Sequence, residues 1–201
     1  GGGSMLVSQK IRTMTLTDIA AKLSAGESIP KCEFAEMKIP SDYEKMAGKE
    51  APNFKLTDLK GDPQSPSFFS GFSRLLLVFW APTCPHCRAE LPRIEQFKRE
   101  RADKLGLKIL GVVGMPQKSD PASEQFLDLV KQIVEQDKIS FPVALDYGQK
   151  TRELYNVEGV PSLFLVGVDG TIEHAWRGEA LFVGRSLECV LEKLKAGDVK
   201  K

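Results

Sequence analysis

The chain has little sulfur, little imidazole and no long apolar run. Four cysteines and two histidines stand among 201 residues. Beyond a single Cys-x-x-Cys, the other soft ligands Cys32, Cys189 and His174 are isolated from one another, which argues against a zinc site needing four clustered donors. The longest apolar stretch, Leu75 to Ala81, falls far short of the roughly 20 residues that cross a bilayer and suits a buried strand instead. Lysine plus arginine number 28 against 27 acidic residues, a formal net charge of +1. Nothing in that balance points to nucleic acid or an anionic membrane as partner, and the run Lys98-Arg99-Glu100-Arg101 reads as a solvated helix face. There is no internal repeat and no low-complexity tract. What is present is ordinary for a globular chain, 42% hydrophobic and 27% charged, and long enough for one sizeable domain.

Residues 1–48 differ in composition from the rest. Gly1-Gly2-Gly3-Ser4 reads as an appended linker, so any native leader or membrane anchor is expected to lie outside the sequence. One short amphipathic helix is expected over Leu16 to Leu23, capped by Thr15 or Thr17, followed by a segment holding Gly26, Pro30 and Pro40. This region reads as an extension packed on a main domain spanning 49–201. In that domain the pattern predicts a short strand at Asn53 to Leu56, a turn at Lys60-Gly61-Asp62-Pro63, and a fully buried strand from Arg74 to Trp80. A helix from Cys84 to about Lys104 and a second buried strand, Leu107 to Val113, complete a βαβ unit, so the sheet is expected to be partly parallel. A helix from Pro121 to Gln136, capped near Ser119 or Asp120, a strand Phe141 to Leu145 and a short helix Gln149 to Tyr155 come next. Ser162 to Val168 and Thr171 to Trp176 flank Asp169-Gly170 as a hairpin, and a last helix is expected over Val183 to Ala196.

The chemistry gathers where the first buried strand becomes a helix, in Phe79-Trp80-Ala81-Pro82-Thr83-Cys84-Pro85-His86-Cys87. A helix starting at Cys84 exposes unpaired N–H groups and about half a positive charge at its first turn, which favours a thiolate over a thiol there. Pro85 falls at the first helical position, where its missing N–H costs nothing. Pro85 and His86 are the residues expected to tune the acidity of this sulfur. Cys87 lies one turn deeper, on the stripe of Leu91 and Ile94, and reads as the buried resolving thiol. Cys84 is thus the expected nucleophile, and Cys87 the group that closes an intramolecular disulfide. Pro92 in the same helix predicts a kink.

These residues resemble a known family. Trp80-Ala81-Pro82-Thr83-Cys84-Pro85-His86-Cys87, with Gly159-Val160-Pro161-Ser162 later in the chain, is similar to the thioredoxin fold, whose proline at that second place is cis and lies against the two sulfurs. Ala51-Pro52-Asn53-Phe54 with Leu56, Asp58, Leu59 and Gly61, and the extra helix and strand before Val160, resemble the TlpA/ResA-like branch of exported, often membrane-tethered thiol–disulfide oxidoreductases. The resemblance covers about residues 50–195. It implies an α/β, thioredoxin-like fold with a central mixed sheet flanked by helices, a helix–strand insertion and an N-terminal extension. It also implies disulfide exchange with protein thiol or disulfide substrates and a redox partner protein, an extracytoplasmic location, and no cofactor beyond the Cys84–Cys87 disulfide. Trp80, Pro82, Val160 and Pro161 are then expected to border the sulfurs as an apolar docking surface. Two carboxylate positions of the superfamily are occupied otherwise, by Val78 and by Gly114-Met115-Pro116. The Cys-Pro-His-Cys tetrapeptide and the valine before the proline resemble DsbA.

Cys189 points away from the apolar stripe Leu187, Val190, Leu191 and Leu194, so a Cys32–Cys189 disulfide, free thiols or intermolecular pairing are all open. Two other functions compete with disulfide exchange. A peroxiredoxin-like thiol peroxidase would share the Ala-Pro-x-Phe opening, but Thr83 adjoins Cys84 directly where that family spaces the two apart. A copper-binding chaperone would hold Cu(I) on Cys84 and Cys87 with a distant histidine, His174 being the available one.

Overall fold

An uninterrupted apolar run is most stable in the middle of a sheet covered on both faces, and the computed structural model puts Arg74–Trp80 there. The structure describes Ala25 and residues 42–178 except Phe72. The strands are β1 (Leu56–Asp58), β2 (Pro63–Gln64), β3 (Arg74–Trp80), β4 (Leu107–Met115), β5 (Val143–Tyr147), β6 (Ser162–Val166) and β7 (Ile172–Arg177), and the helices are α1 (Pro85–Phe97), α2 (Ser123–Gln136) and α3 (Lys150–Leu154). The strands form one sheet in the order β2-β1-β5-β4-β3-β6-β7. Its centre is parallel, with β4 between β3 and β5, while β6 and β7 on one side and β1 and β2 on the other run antiparallel to their neighbours. This is the mixed α/β sheet of a thioredoxin-like fold, and β3–α1–β4 is the expected βαβ unit.

Alternation along β3 divides the interior. Leu75, Leu77 and Phe79 join one cluster with Leu110, Val112, Ala144, Phe164 and Ala175, while Leu76, Val78 and Trp80 point the other way and are equally buried. In the first cluster the rings of Tyr43, Phe79, Tyr155 and Phe164 meet at centroid distances of 4.7 to 5.7 Å, the range of favourable tilted and edge contacts. The Tyr155 hydroxyl donates to Pro52 O at 2.8 Å, and burial raises its pKa well above the ordinary tyrosine value.

Several boundaries differ from the sequence pattern. β1 begins at Leu56 rather than Asn53, because the preceding backbone bonds elsewhere: Ala51 N–H donates to Gly170 O, and Pro52 O accepts from Tyr155. β5 begins at Val143 rather than Phe141 and continues to Tyr147, since Pro142 has no N–H for a ladder. α2 starts at Ser123, and Asp120 caps the turn before it, its carboxylate accepting Ala122 N–H at 2.8 Å. α1 runs through Pro92 to Phe97, widens into a π turn over Lys98–Ala102 and tightens over Asp103–Leu105. The helices expected over Leu16 to Leu23 and Val183 to Ala196 lie outside the described residues, as does the extension to residue 41 apart from Ala25. No helix among the described residues is long and apolar enough to cross a membrane.

Gly111 ties the sheet to the end of β3. A Cβ there would stand 3.1 Å from Trp80 Nε1, 3.2 Å from Phe141 and 3.4 Å from Val143, all in buried side chains. Gly111→Ala is expected to lose about 1–3 kcal/mol of stability by overpacking, read from the urea midpoint; an unchanged midpoint would show that the site has slack.

Candidate functional site

β3 ends at the buried Trp80, and a turn closed by Cys84 N–H on Ala81 O at 3.2 Å leads into α1. Cys84 takes the N-cap place with extended backbone, φ −92° and ψ 114°, and Pro85 follows in the first turn. Serine or aspartate at such a position offers an oxygen to the orphan N–H groups. Here a sulfur does so, accepting Cys87 N–H at 3.4 Å. The same sulfur, as a thiol, donates to Val160 O at 3.5 Å. Cys84 is thus held between a helix amide and a loop carbonyl, partly exposed, with its thiol free.

Cys87 is fully buried at 0% exposure. Burial first, and then the neighbouring Cys84 sulfur, push its thiol well above the ordinary cysteine range. The pair therefore presents one accessible sulfur and one protonated, concealed sulfur. The Val160–Pro161 peptide facing them is cis.

The four residues expected as a docking surface divide. Trp80, Pro82 and Pro161 are buried, Trp80 at 1%, and Val160 is partly exposed. Trp80 is the last residue of a central strand and packs against Gly111, so its ring backs the site from inside and offers no contact area. Thr83, Pro85, His86 and Val160 supply the accessible surface around Cys84. Cys32 and Cys189, and with them any bond between these two, lie outside the described residues.

One polar residue escaped the sequence reading. Glu90, three residues beyond Cys87 in α1, is 1% exposed and accepts from Arg93 Nη1 at 3.2 Å. Its i+3 spacing from Cys87, next to Leu91, was the available signal: a charged residue on the apolar stripe. α1 thus carries a buried carboxylate one turn beyond the inner thiol, ion-paired to Arg93.

His174 lies on β7 with its ring 4.4 Å from that of Trp176. Burial lowers its pKa to about 4. Among the described residues no group of three or more histidine, cysteine or acidic side chains could hold a metal ion.

Comparison with known proteins gives the same picture. A sequence model of the AhpC/TSA family matches residues 47–175. The thiol-disulfide oxidoreductase ResA of Bacillus thuringiensis (strain Al Hakam) is 34% identical over 155 residues, covering 77% of this chain and 82% of that protein. The thioredoxin-like protein YneN of Bacillus subtilis is 30% identical over 126 residues, 63% of this chain and 68% of the relative. Among solved structures, a putative thioredoxin from Neisseria meningitidis superposes with a TM-score of 0.59 at 26% identity, covering 73% of this chain and 92% of its own.

Two outcomes follow from burial. With a substoichiometric alkylating agent on reduced, folded protein, Cys84 should be labelled at least about tenfold more than Cys87, as read by peptide mass spectrometry; equal labelling would contradict the assignment of depth. The unfolded His174 imidazole protonates near pH 6.5, whereas the folded one stays neutral until about pH 4. The unfolded state therefore gains its proton first, and stability falls as pH drops through that window, by on the order of 3 kcal/mol. His174→Phe should flatten this part of the stability–pH curve measured by denaturant unfolding; an unaltered slope would show that other groups carry it.

Proposed function

Because the chain belongs to the AhpC/TSA family, within its ResA-like branch of thioredoxin-fold thiol–disulfide oxidoreductases, we propose that Cys84 and Cys87 are its redox-active dithiol and exchange disulfides with protein partners. The observation that carries this reading is the Cys84 sulfur at the start of α1, in contact with Cys87 N–H and Val160 O while Cys87 stays concealed. The enzyme is an oxidoreductase; the assignment of its two sulfurs is the proposal.

Cys84 as thiolate attacks one sulfur of a partner's disulfide. A Cys84–partner bond forms, and the partner's other sulfur leaves as a thiolate. Cys87 then gives up its proton and attacks the Cys84 sulfur. The Cys84–Cys87 bond forms, the partner's second thiol departs, and two electrons have passed from the enzyme dithiol to the partner. The reverse sequence oxidises a partner dithiol. Helix N–H groups stabilise negative charge on Cys84 in both directions. Burial keeps Cys87 protonated until the mixed disulfide stands beside it. Proteins bearing accessible thiols or disulfides are the proposed substrates, an extracytoplasmic compartment the proposed location, and the dithiol itself the only redox group used.

Cys87→Ser should accumulate a covalent complex with a disulfide-bearing protein such as insulin, visible on non-reducing gels and released by dithiothreitol. Cys84→Ser should form none, with exchange reduced by about 10³-fold or more. A Cys84→Ser protein that exchanged disulfides at the normal rate, or a wild-type protein that consumed peroxide but left disulfides untouched, would contradict the proposal.

A further inference from the structure

The loop facing the sulfurs is fixed carbonyl by carbonyl. Arg152 Nε donates to Val157 O at 2.9 Å and Arg152 Nη2 to Glu158 O at 3.2 Å. The Ser162 hydroxyl donates to Gly159 O at 2.6 Å, the Cys84 thiol to Val160 O at 3.5 Å, and Gly178 N–H to Pro161 O at 2.8 Å. Val160 therefore sits at the centre of a braced stretch, and its carbonyl is the one held by the reacting sulfur.

The braces are themselves anchored. Because Ser162 uses its hydrogen on Gly159, the buried Tyr43 hydroxyl donates to Ser162 Oγ, at 2.6 Å. That Tyr43 ring is locked against Phe164 in the core. On the other side, Arg152 is held at its base by its own N–H on Asp146 Oδ2 at 2.9 Å and at its tip by Nη1 on Gln149 Oε1 at 3.2 Å. Asp146 is a buried residue of β5, and it also accepts Thr151 N–H at 3.0 Å. One guanidinium thus joins two successive loop carbonyls to the start of α3, as its planar fork of donors permits, while the Arg152 backbone N–H ties that turn to β5.

Satisfying loop carbonyls could serve stability alone. The distribution here argues for more, because the side-chain donors fall on the three residues immediately before Val160, the partly exposed residue a partner meets beside Cys84. A protein that brings its sulfur to Cys84 must cover the partly exposed Val160 beside it, and that sulfur must reach Cys84 in line, so a displaced edge costs rate. A small disulfide needs the sulfur alone. Resting on the reading of Cys84 and Cys87 as the dithiol, we infer that Arg152 and the Tyr43–Ser162 hydroxyl pair are positioning residues that hold the Val157–Pro161 loop as a docking edge for protein substrates.

The test compares two oxidants of the reduced full chain under single-turnover conditions: insulin as the protein disulfide and dithiobis(nitrobenzoate) as the small one. In Arg152→Met the ratio of the insulin rate to the small-disulfide rate should fall roughly ten- to a hundredfold. Ser162→Ala and Tyr43→Phe should lower it in the same direction, and Arg152→Lys, which can hold one carbonyl but not two, should fall between wild type and Arg152→Met. Should Arg152→Met not fold, the lysine and serine variants carry the comparison. A ratio that stays at the wild-type value in folded variants, whether both rates fall together or only the melting temperature drops, overturns the inference. A wild-type protein that reacts with neither disulfide overturns the dithiol reading beneath it instead.

Discussion

A sulfur in the N-cap place of a helix is the constraint on which this structure turns. Cys84 does there what a serine hydroxyl would do, taking the N–H of Cys87, and so its position is fixed by the same backbone geometry that starts α1. The strand before it, the proline after it and the carbonyl of Val160 opposite all act to put one sulfur at the surface, pointed at solvent and at a loop. The helix then carries the second sulfur one turn inward, where the fold hides it. Exposure and concealment come from a single structural element, which is why two thiols three residues apart have unlike environments.

The rest of the fold holds this junction still. β3 is flanked by β4 and β6 across seven and five paired residues respectively, so its end at Trp80 cannot drift without disturbing both neighbours. Trp80 itself lies against Gly111, filling the space beneath the turn. On the far side of the sulfurs, the loop before β6 is tethered to β5 through Arg152 and to the aromatic core through Ser162 and Tyr43. The two halves of the site, helix start and loop, are thus referenced to one rigid sheet, as thiol exchange requires three sulfurs in line.

The sequence carried what is local and repeated. Arg74 to Trp80 could be bounded to the residue because an apolar run ends at a turn on each side, and the β6–β7 hairpin could be placed because the Asp169-Gly170 turn signal sits between two strand-like segments. The Cys84 helix start was legible for a similar reason: Pro85 and the apolar stripe after it fix the register. Edge strands were read less well, since β1 exists only where β5 offers it a ladder. Burial could not be read from the resemblance: of the four residues it implied as a docking surface, Trp80, Pro82 and Pro161 are buried and Val160 is partly exposed, Trp80 because it ends a central strand. Glu90 was passed over because a charged residue on an apolar stripe looks like an exception to the pattern rather than a buried group. The bracing by Tyr43 could not be read at all, since it joins residues 119 apart in sequence and only the folded topology brings them together.

The exposed and the buried sulfur are proposed to form one reversible couple. Equilibrating the protein in glutathione buffers of graded potential, with acid quenching and mass spectrometry of the peptide that holds both residues, tests it directly. A single two-electron transition from dithiol to a Cys84–Cys87 disulfide is expected, at a potential within the range of about −270 to −120 mV spanned by thioredoxin-fold proteins. Glutathione accumulating on Cys84 while Cys87 remains a thiol across the whole range would contradict it.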